Sequence, residues 1–230
     1  MAAPSYFAYD AILNRKDRGL LEETKLPTSM TYEQTLEAID RDAVLVDGRN
    51  PEEFAHGHLR QAINIGLGGR YAEFAGSVLA PDVDIVLVTE PGDELEGKNR
   101  LARIGFDRVI GYLDQPDKAM VEHDDNVQFA SRLTAKAFDT FAGEMADLQI
   151  VDVRNPDEAE AGTIPNAVNI PVGQLPGRLD ELDATLPTVV YCAGGYRSSV
   201  AASLLRQRGF ADVSDILGGY HAWAETIQNA

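Results

Sequence analysis

The chain has 230 residues, 44% of them hydrophobic and 25% charged, with a formal net charge of −17. That length allows one large domain or two of ~100 residues, and the charge argues against nucleic acid, whose phosphates require clustered Lys and Arg. In so negative a chain, an anion site has to be made locally, from backbone N–H groups and a nearby Arg.

The first stretch, MAAPSYFAYDAILNRKDRG, has neither the apolar centre of a secretion signal nor the Arg- and Ser-rich pattern of a transit peptide. No run of ~18 apolar residues suits a membrane span. The single cysteine, Cys192, has no internal partner for a disulfide, which fits a reducing compartment and a cytoplasmic protein. Residues 1–28 read as an N-terminal arm, with Pro27 near the end.

Beyond the arm the chain repeats itself. LVDGRNPEEFAHGHLRQAINIGLG (Leu45–Gly68) aligns without a gap on IVDVRNPDEAEAGTIPNAVNIPVG (Ile150–Gly173), and Asp47 and Asp152 set the offset at 105 residues. Each copy predicts a hydrophobic strand, an Asp-x-Arg-Asn-Pro turn, an acidic turn of helix, a glycine and a second short strand. A repeat of this size points to a duplicated domain rather than a solenoid unit. The apolar runs IVLV (Ile85–Val88) and VVYC (Val189–Cys192) suit buried parallel strands. Each leads to a helix that ends at Gly-Phe, Gly105-Phe106 and Gly209-Phe210. Val200, Ala201, Leu204 and Leu205 form one apolar helical face, and Gly209 suits the position just past a helix end. Short strands follow at Val109-Ile110 and within Asp212–Leu217, and LGGYHAWAETI closes the chain with a Gly-Gly turn into a terminal helix. Strands alternating with helices predict an α/β fold twice over: residues 29–115, a linker at 116–129 marked by Pro116 and HDDN, and residues 130–230.

In such folds ligands collect at the carboxyl ends of parallel strands, and Cys192 stands at one. Ala193, Gly194, Gly195, Tyr196 and Arg197 follow, with Ser198 and Ser199 as candidate helix N-caps. Adjacent glycines let successive N–H groups turn towards one point, an anion nest backed by a helix N-terminus and by the Arg197 cation. A thiol at that focus is expected to react as a thiolate, open to solvent. A lone cysteine after an apolar strand is more often a small buried hydrophobe, but a core filler has no need of Gly-Gly, an arginine and an immediate helix.

These residues resemble a known family. Asp152–Glu158, Gly162–Pro171, Tyr191–Ser198 and Leu217–Trp223 are similar, in order, to the motifs of the rhodanese (sulfurtransferase) domain. The first repeat resembles it in its opening motifs and much less in its closing ones. The resemblance implies two rhodanese-like domains, each a mainly parallel sheet flanked by helices. It also implies sulfane-sulfur transfer from thiosulfate or a low-molecular-weight persulfide to a thiol or cyanide, through a transient persulfide on Cys192 and with no other cofactor. Ala193 through Arg197 would form the loop around that sulfur, with Ser198, Asp152 and Arg154 supporting its shape. The pairing of repeats, with the arm SYFAYDAILNR, is similar to the tandem rhodanese portion of metallo-β-lactamase-type persulfide dioxygenase fusions, so a persulfide dioxygenase is a conceivable partner. A non-turnover sulfur carrier or interaction module is the rival reading. A phosphatase fits less well, since those enzymes need Cys-x5-Arg and here four residues separate Cys192 from Arg197.

Counting back from the Gly-Phe pairs places Val88 where the second repeat has Cys192, and the loop beyond it carries Glu90, Asp93, Glu94 and Glu96. The first repeat is therefore expected to be inactive; the resemblance to tandem rhodaneses implies that it packs against the second and walls one side of the pocket. His56 and His58 form an H-x-H pair without a third ligand nearby, so no metal is expected, and His58 reads as structural. Tyr196 faces substrate or covers the loop, Trp223 reads as core and His221 as surface.

Overall fold

The computed structural model describes residues 23–228, so most of the N-terminal arm lies outside the described residues. The chain divides into two compact units, Met1–Gln128 and Phe129–Ala230.

The first unit holds β1 (Ser29–Met30), β2 (Val44–Asp47), β3 (His58–Leu59), β4 (Ile63–Asn64), β5 (Ile85–Val88), β6 (Val109–Leu113) and β7 (Val127–Gln128). Its main sheet runs β1-β6-β5-β2-β4, with every neighbouring pair parallel. The second unit holds β8 (Ser131–Leu133), β9 (Gln149–Asp152), β10 (Val168–Asn169), β11 (Thr188–Tyr191) and β12 (Val213–Ile216), in the parallel order β10-β9-β11-β12-β8. Read from the other edge, this is the same topology: β8, β12, β11, β9 and β10 take the places of β1, β6, β5, β2 and β4. The 105-residue repeat is thus a repeated fold. The central strands β5 and β11 are buried along their whole length, as parallel strands covered by helices on both faces require.

The stretch 116–129 is not a linker. Pro116–Glu122 is a helix, Asp124–Asn126 a 3₁₀ turn, and β7 pairs antiparallel with β3, His58 opposite Gln128. Proline at the first helical position starts a helix, because its missing N–H would have had no partner there in any case. The segment therefore completes the first unit, and the second begins at Phe129.

The Asp-x-Arg motif does the same mechanical work in both units. Arg154 Nη2 donates to Asp152 Oδ2 at 2.6 Å and to the Gly162 carbonyl at 2.7 Å, while Asn169 Nδ2 donates to the carbonyls of Asp152 and Arg154 at 2.9 and 3.0 Å. In the first unit Arg49 donates to Asp47 at 2.6 Å and to Gly57 O at 3.0 Å, and Asn64 donates to the carbonyls of Asp47 and Arg49. A buried charge is tolerated only when paired and fully hydrogen-bonded, and this pair uses its spare donors to fasten the loop after the short helix.

In the second unit the strut reaches further. The Tyr191 hydroxyl donates to Asp152 Oδ2 at 2.8 Å, accepts from Ile164 N at 3.1 Å and lies 2.7 Å from Thr163 Oγ1. Burial pushes this phenol up to about 12, so it stays protonated and keeps donating. The rest of that cluster is Phe138, Ile150, Ile164, Val189 and Ile216; Trp223, expected as core, is half-buried and packs against its edge. Tyr191→Phe keeps the ring and removes the hydroxyl from three partners. Its expected cost is about 1–3 kcal/mol, seen as a lower denaturation midpoint with an unchanged slope.

Candidate active site

At the end of β11 the chain leaves the sheet at Cys192 and turns through Ala193, Gly194 and Gly195 into the helix Tyr196–Gln207. Gly195 sits at φ +103°, in the left-handed region that favours glycine, which turns the chain into the helix, and its N–H donates to Cys192 Sγ, 3.1 Å away. Gly195 is the helix N-cap; Ser198 and Ser199 lie inside the first turn instead of capping it. The serine is needed elsewhere: Ser198 Oγ is 3.7 Å from Cys192 Sγ and 3.1 Å from both the Gly195 carbonyl and Asp215 Oδ2.

The terminal helix Gly219–Gln228 fixes the loop from the other side. Its first amides, on Tyr220 and His221, donate to the carbonyls of Cys192 and Ala193 at 2.7 and 3.2 Å. Gly219 lies so close that a Cβ on it would stand 2.1 Å from the Cys192 carbonyl oxygen. The His221 side chain is exposed and its backbone does the work. Arg154 lies over the Tyr220 ring at 4.1 Å, a cation–π contact that ties the strut to the turn holding the loop. Asp152 and Arg154 thus reach the cysteine only through Tyr191 and Tyr220.

Cys192 is 2% exposed. The expectation of a sulfur open to solvent is not met, because the loop folds over it and puts the Gly195 amide and the Ser198 hydroxyl against it. Those partners are polar, so the burial is a cradle rather than a greasy seal. Of the two loop glycines, Gly194 is exposed, and a Cβ on it would meet no atom within 4 Å. Tyr196 is half-buried on the first turn.

Arg197 is held in a fork. Its two terminal nitrogens donate to the two oxygens of Glu158 at 2.6 and 2.7 Å. Those hydrogen bonds raise the guanidinium above its ordinary value, with the nearby Cys192 sulfur adding to the effect. The same hydrogen bonds draw the Glu158 carboxyl from the usual 4.5 down to about 2. Below the loop, Arg132 pairs with the buried Asp215 at 2.9 and 3.1 Å. Glu158, Arg132, Asp215, Tyr220 and Gly219 were not singled out from sequence. The one available signal was that Glu158 and Gly219 fall inside the motif blocks, while the partners lie 39 and 83 residues apart along the chain.

The first unit has a different chemistry at the equivalent place. Strand register pairs Val88 with Asp47 and Tyr191 with Asp152, so the counterpart of Cys192 is Thr89, one residue beyond the Val88 given by counting back from Gly-Phe. The count failed because the loop and helix of the first unit are one residue shorter. Thr89 is 4% exposed, and among the described residues its hydroxyl has no hydrogen-bond partner. Glu53, the repeat-mate of Glu158, faces Glu90 rather than an arginine, and partial burial and then Glu53 push the Glu90 carboxyl upward. His58 is buried, with Nδ1 2.9 Å from Phe54 O and its ring stacked on Phe54 at 3.7 Å, so it serves packing as expected.

The rhodanese-like domain family model matches residues 31–115 and 137–226, both copies of the fold. The chain belongs to the rhodanese family. It is 38% identical over 78 residues to a sulfurtransferase of Allochromatium vinosum, covering 34% of this chain and 73% of that protein. It is 34% identical over 77 residues to the thiosulfate sulfurtransferase GlpE of Coxiella burnetii, covering 34% and 72%. A third relative, the protein YqhL of Bacillus subtilis, is 39% identical over 80 residues; the match takes in 35% of this chain and 64% of YqhL. Among the described residues of this rhodanese no helix is long and apolar enough to cross a membrane.

Two outcomes follow for the rhodanese loop. Gly219→Ala places a methyl against the Cys192 carbonyl at φ +58° and adds about 1–3 kcal/mol of backbone strain. The amides of Tyr220 and His221 are expected to lose their hold, and Cys192 to react faster with iodoacetamide than in the wild type. An unchanged alkylation rate contradicts the pinning. For the fork, a carboxyl lowered on folding stabilises above its unfolded value and loses that contribution as pH falls through its folded one. The melting-temperature advantage of wild type over Glu158→Gln is therefore expected at pH 7, fading below 4.5 and gone near 2. An advantage independent of pH speaks against the fork.

Proposed function

We propose that the protein is a sulfurtransferase in which Cys192 carries the sulfur. The Cys192 thiolate attacks the outer sulfur of the donor and forms an S–S bond. The donor's own S–S bond breaks and its electron pair leaves with sulfite, when the donor is thiosulfate, or with a thiolate, when it is a persulfide. The enzyme is left as a Cys192 persulfide. An acceptor thiol or cyanide then takes the terminal sulfur and returns Cys192 to its thiolate. Nothing is oxidised overall, and no further cofactor is required.

The observation that carries this reading is the Gly195 N–H aimed at Cys192 Sγ at 3.1 Å, on a loop whose arginine lies beside the sulfur. A hydrogen-bond donor and a nearby cation are suited to stabilise negative charge that develops on the transferred sulfur. Thiosulfate is the first donor to try, since one relative is named for it. A glutathione-type persulfide is the second, because the tandem arrangement resembles that of the dioxygenase fusions; a persulfide dioxygenase would then be the natural partner. The first unit, with Thr89 at the sulfur's place, takes no part in bond-making and serves as scaffold.

Intact mass after incubation with each donor tests this directly. A gain of about 32 Da, one sulfur, is expected; it disappears in Cys192→Ser and is reversed by cyanide with release of thiocyanate. Repeated turnover separates an enzyme from a carrier that loads once. Sulfur uptake by the Cys192→Ser variant overturns the assignment.

A further inference from the structure

Beneath the active loop lies a buried chain of polar groups that bond-making at Cys192 does not itself require. Asp215 is 2% exposed, and its two oxygens accept from Arg132 Nε at 2.9 Å and Nη2 at 3.1 Å. Arg206 adds positive charge on the same side, with its Nη2 spent on the Val213 carbonyl at 2.8 Å. The Ser198 hydroxyl, fully buried, stands between Asp215 Oδ2 at 3.1 Å and Cys192 Sγ at 3.7 Å, with the Gly195 carbonyl also at 3.1 Å.

A hydroxyl has one proton to give and lone pairs to receive. While Cys192 is a thiol, the sulfur donates to Ser198, and the Ser198 proton goes to Asp215 or to Gly195 O. Once the sulfur is anionic, as thiolate or persulfide, it needs a donor. Rotation about the serine Cβ–Oγ bond supplies one without moving a heavy atom. The turn leaves no buried group stranded, because Asp215 keeps both bonds from Arg132. A carboxylate without that arginine would hold the serine proton more tightly and resist releasing it.

We propose that Asp215, anchored by Arg132, is a positioning residue that sets the direction of the Ser198 hydroxyl and lets it swing between accepting from the Cys192 thiol and donating to the anionic sulfur. This rests on Cys192 being the sulfur-carrying group. The function of the pair is orientation: it touches neither donor nor acceptor, and it acts on the sulfur only through Ser198.

The test is single-turnover sulfur loading from thiosulfate or glutathione persulfide, in wild type, Ser198→Ala, Asp215→Asn and the double variant. Each single variant is expected to load about 10- to 100-fold more slowly at saturating donor, with the half-saturating donor concentration within about two-fold of wild type. Because Asp215 acts through Ser198, the double variant is expected to be no slower than Ser198→Ala alone. Losses that multiply in the double variant, or an Asp215→Asn rate equal to wild type, overturn the relay. If Asp215→Asn does not fold, Arg132→Lys keeps the charge and loses the fork; it is then expected to slow loading in the Ser198 background and to change nothing in the Ser198→Ala background, and any other pattern counts against the proposal. If wild type takes up no sulfur at all, the sulfurtransferase reading fails and the relay falls with it. Wild-type loading matched by every variant removes the relay alone.

Discussion

The amides of Tyr220 and His221 hold the carbonyls of Cys192 and Ala193 at 2.7 and 3.2 Å, and the geometry of the loop follows from that grip. In a trans peptide the carbonyl and the following N–H point in opposite directions. Drawing two consecutive carbonyls towards the terminal helix turns the amides of Ala193 and Gly194 away from it. The next amide, that of Gly195, donates to the sulfur, and the positive φ of this residue turns the chain on into the helix. Only a residue without a Cβ lets the terminal helix come so close, which is why Gly219 abuts the Cys192 carbonyl. The strut of Asp152, Arg154 and Tyr191 braces the same turn through the Tyr220 ring. Sheet, strut, turn and loop form one continuous mechanical path to a single sulfur atom.

A chain of net charge −17 sets this cradle in an unfavourable field for anions, so every positive group near the loop matters. Arg197 and Arg132 are each matched by one carboxylate, Glu158 and Asp215. The match keeps the cations in place, and it cancels the formal net charge of each pair. An anionic donor must share Arg197 with Glu158, or bind mainly through backbone amides. The first unit shows what the same scaffold becomes without these choices. Its Glu53 meets Glu90, and a threonine replaces the sulfur. One sheet topology thus carries a cysteine loop with a paired arginine in one copy and an acidic pair in the other, and the difference lies in the loop after β5 or β11.

Much of this was legible in the sequence. The repeat, the parallel α/β order, the strand ahead of Cys192 and the glycine-bearing loop all follow from local patterns of apolar runs, glycines and turn residues. What escaped was long-range or depended on register. Arg132 and Asp215 are 83 residues apart, and no local pattern marks either as ionic partners beneath a loop. Thr89 was missed in favour of Val88 because a one-residue deletion between strand and Gly-Phe is invisible to counting, whereas the backbone pairing of Val88 with Asp47 settles it. Pro116 and HDDN carry the composition of a linker, yet proline at a helix start and a closing 3₁₀ turn are equally good uses of those residues. The burial of Cys192 was also hidden, because no local pattern says that the Gly195 amide and the Ser198 hydroxyl close on the sulfur.

The central claim is that the cradle is built around a sulfur-bearing Cys192. The most direct measurement is a crystal structure of the donor-treated protein, with anomalous scattering used to locate sulfur. A second sulfur is expected about 2.05 Å from Sγ, inside the loop and within hydrogen-bonding reach of the Gly195 amide and the Ser198 hydroxyl. An unmodified Cys192 beside donor bound elsewhere, or an added sulfur pointing away from those groups, contradicts it.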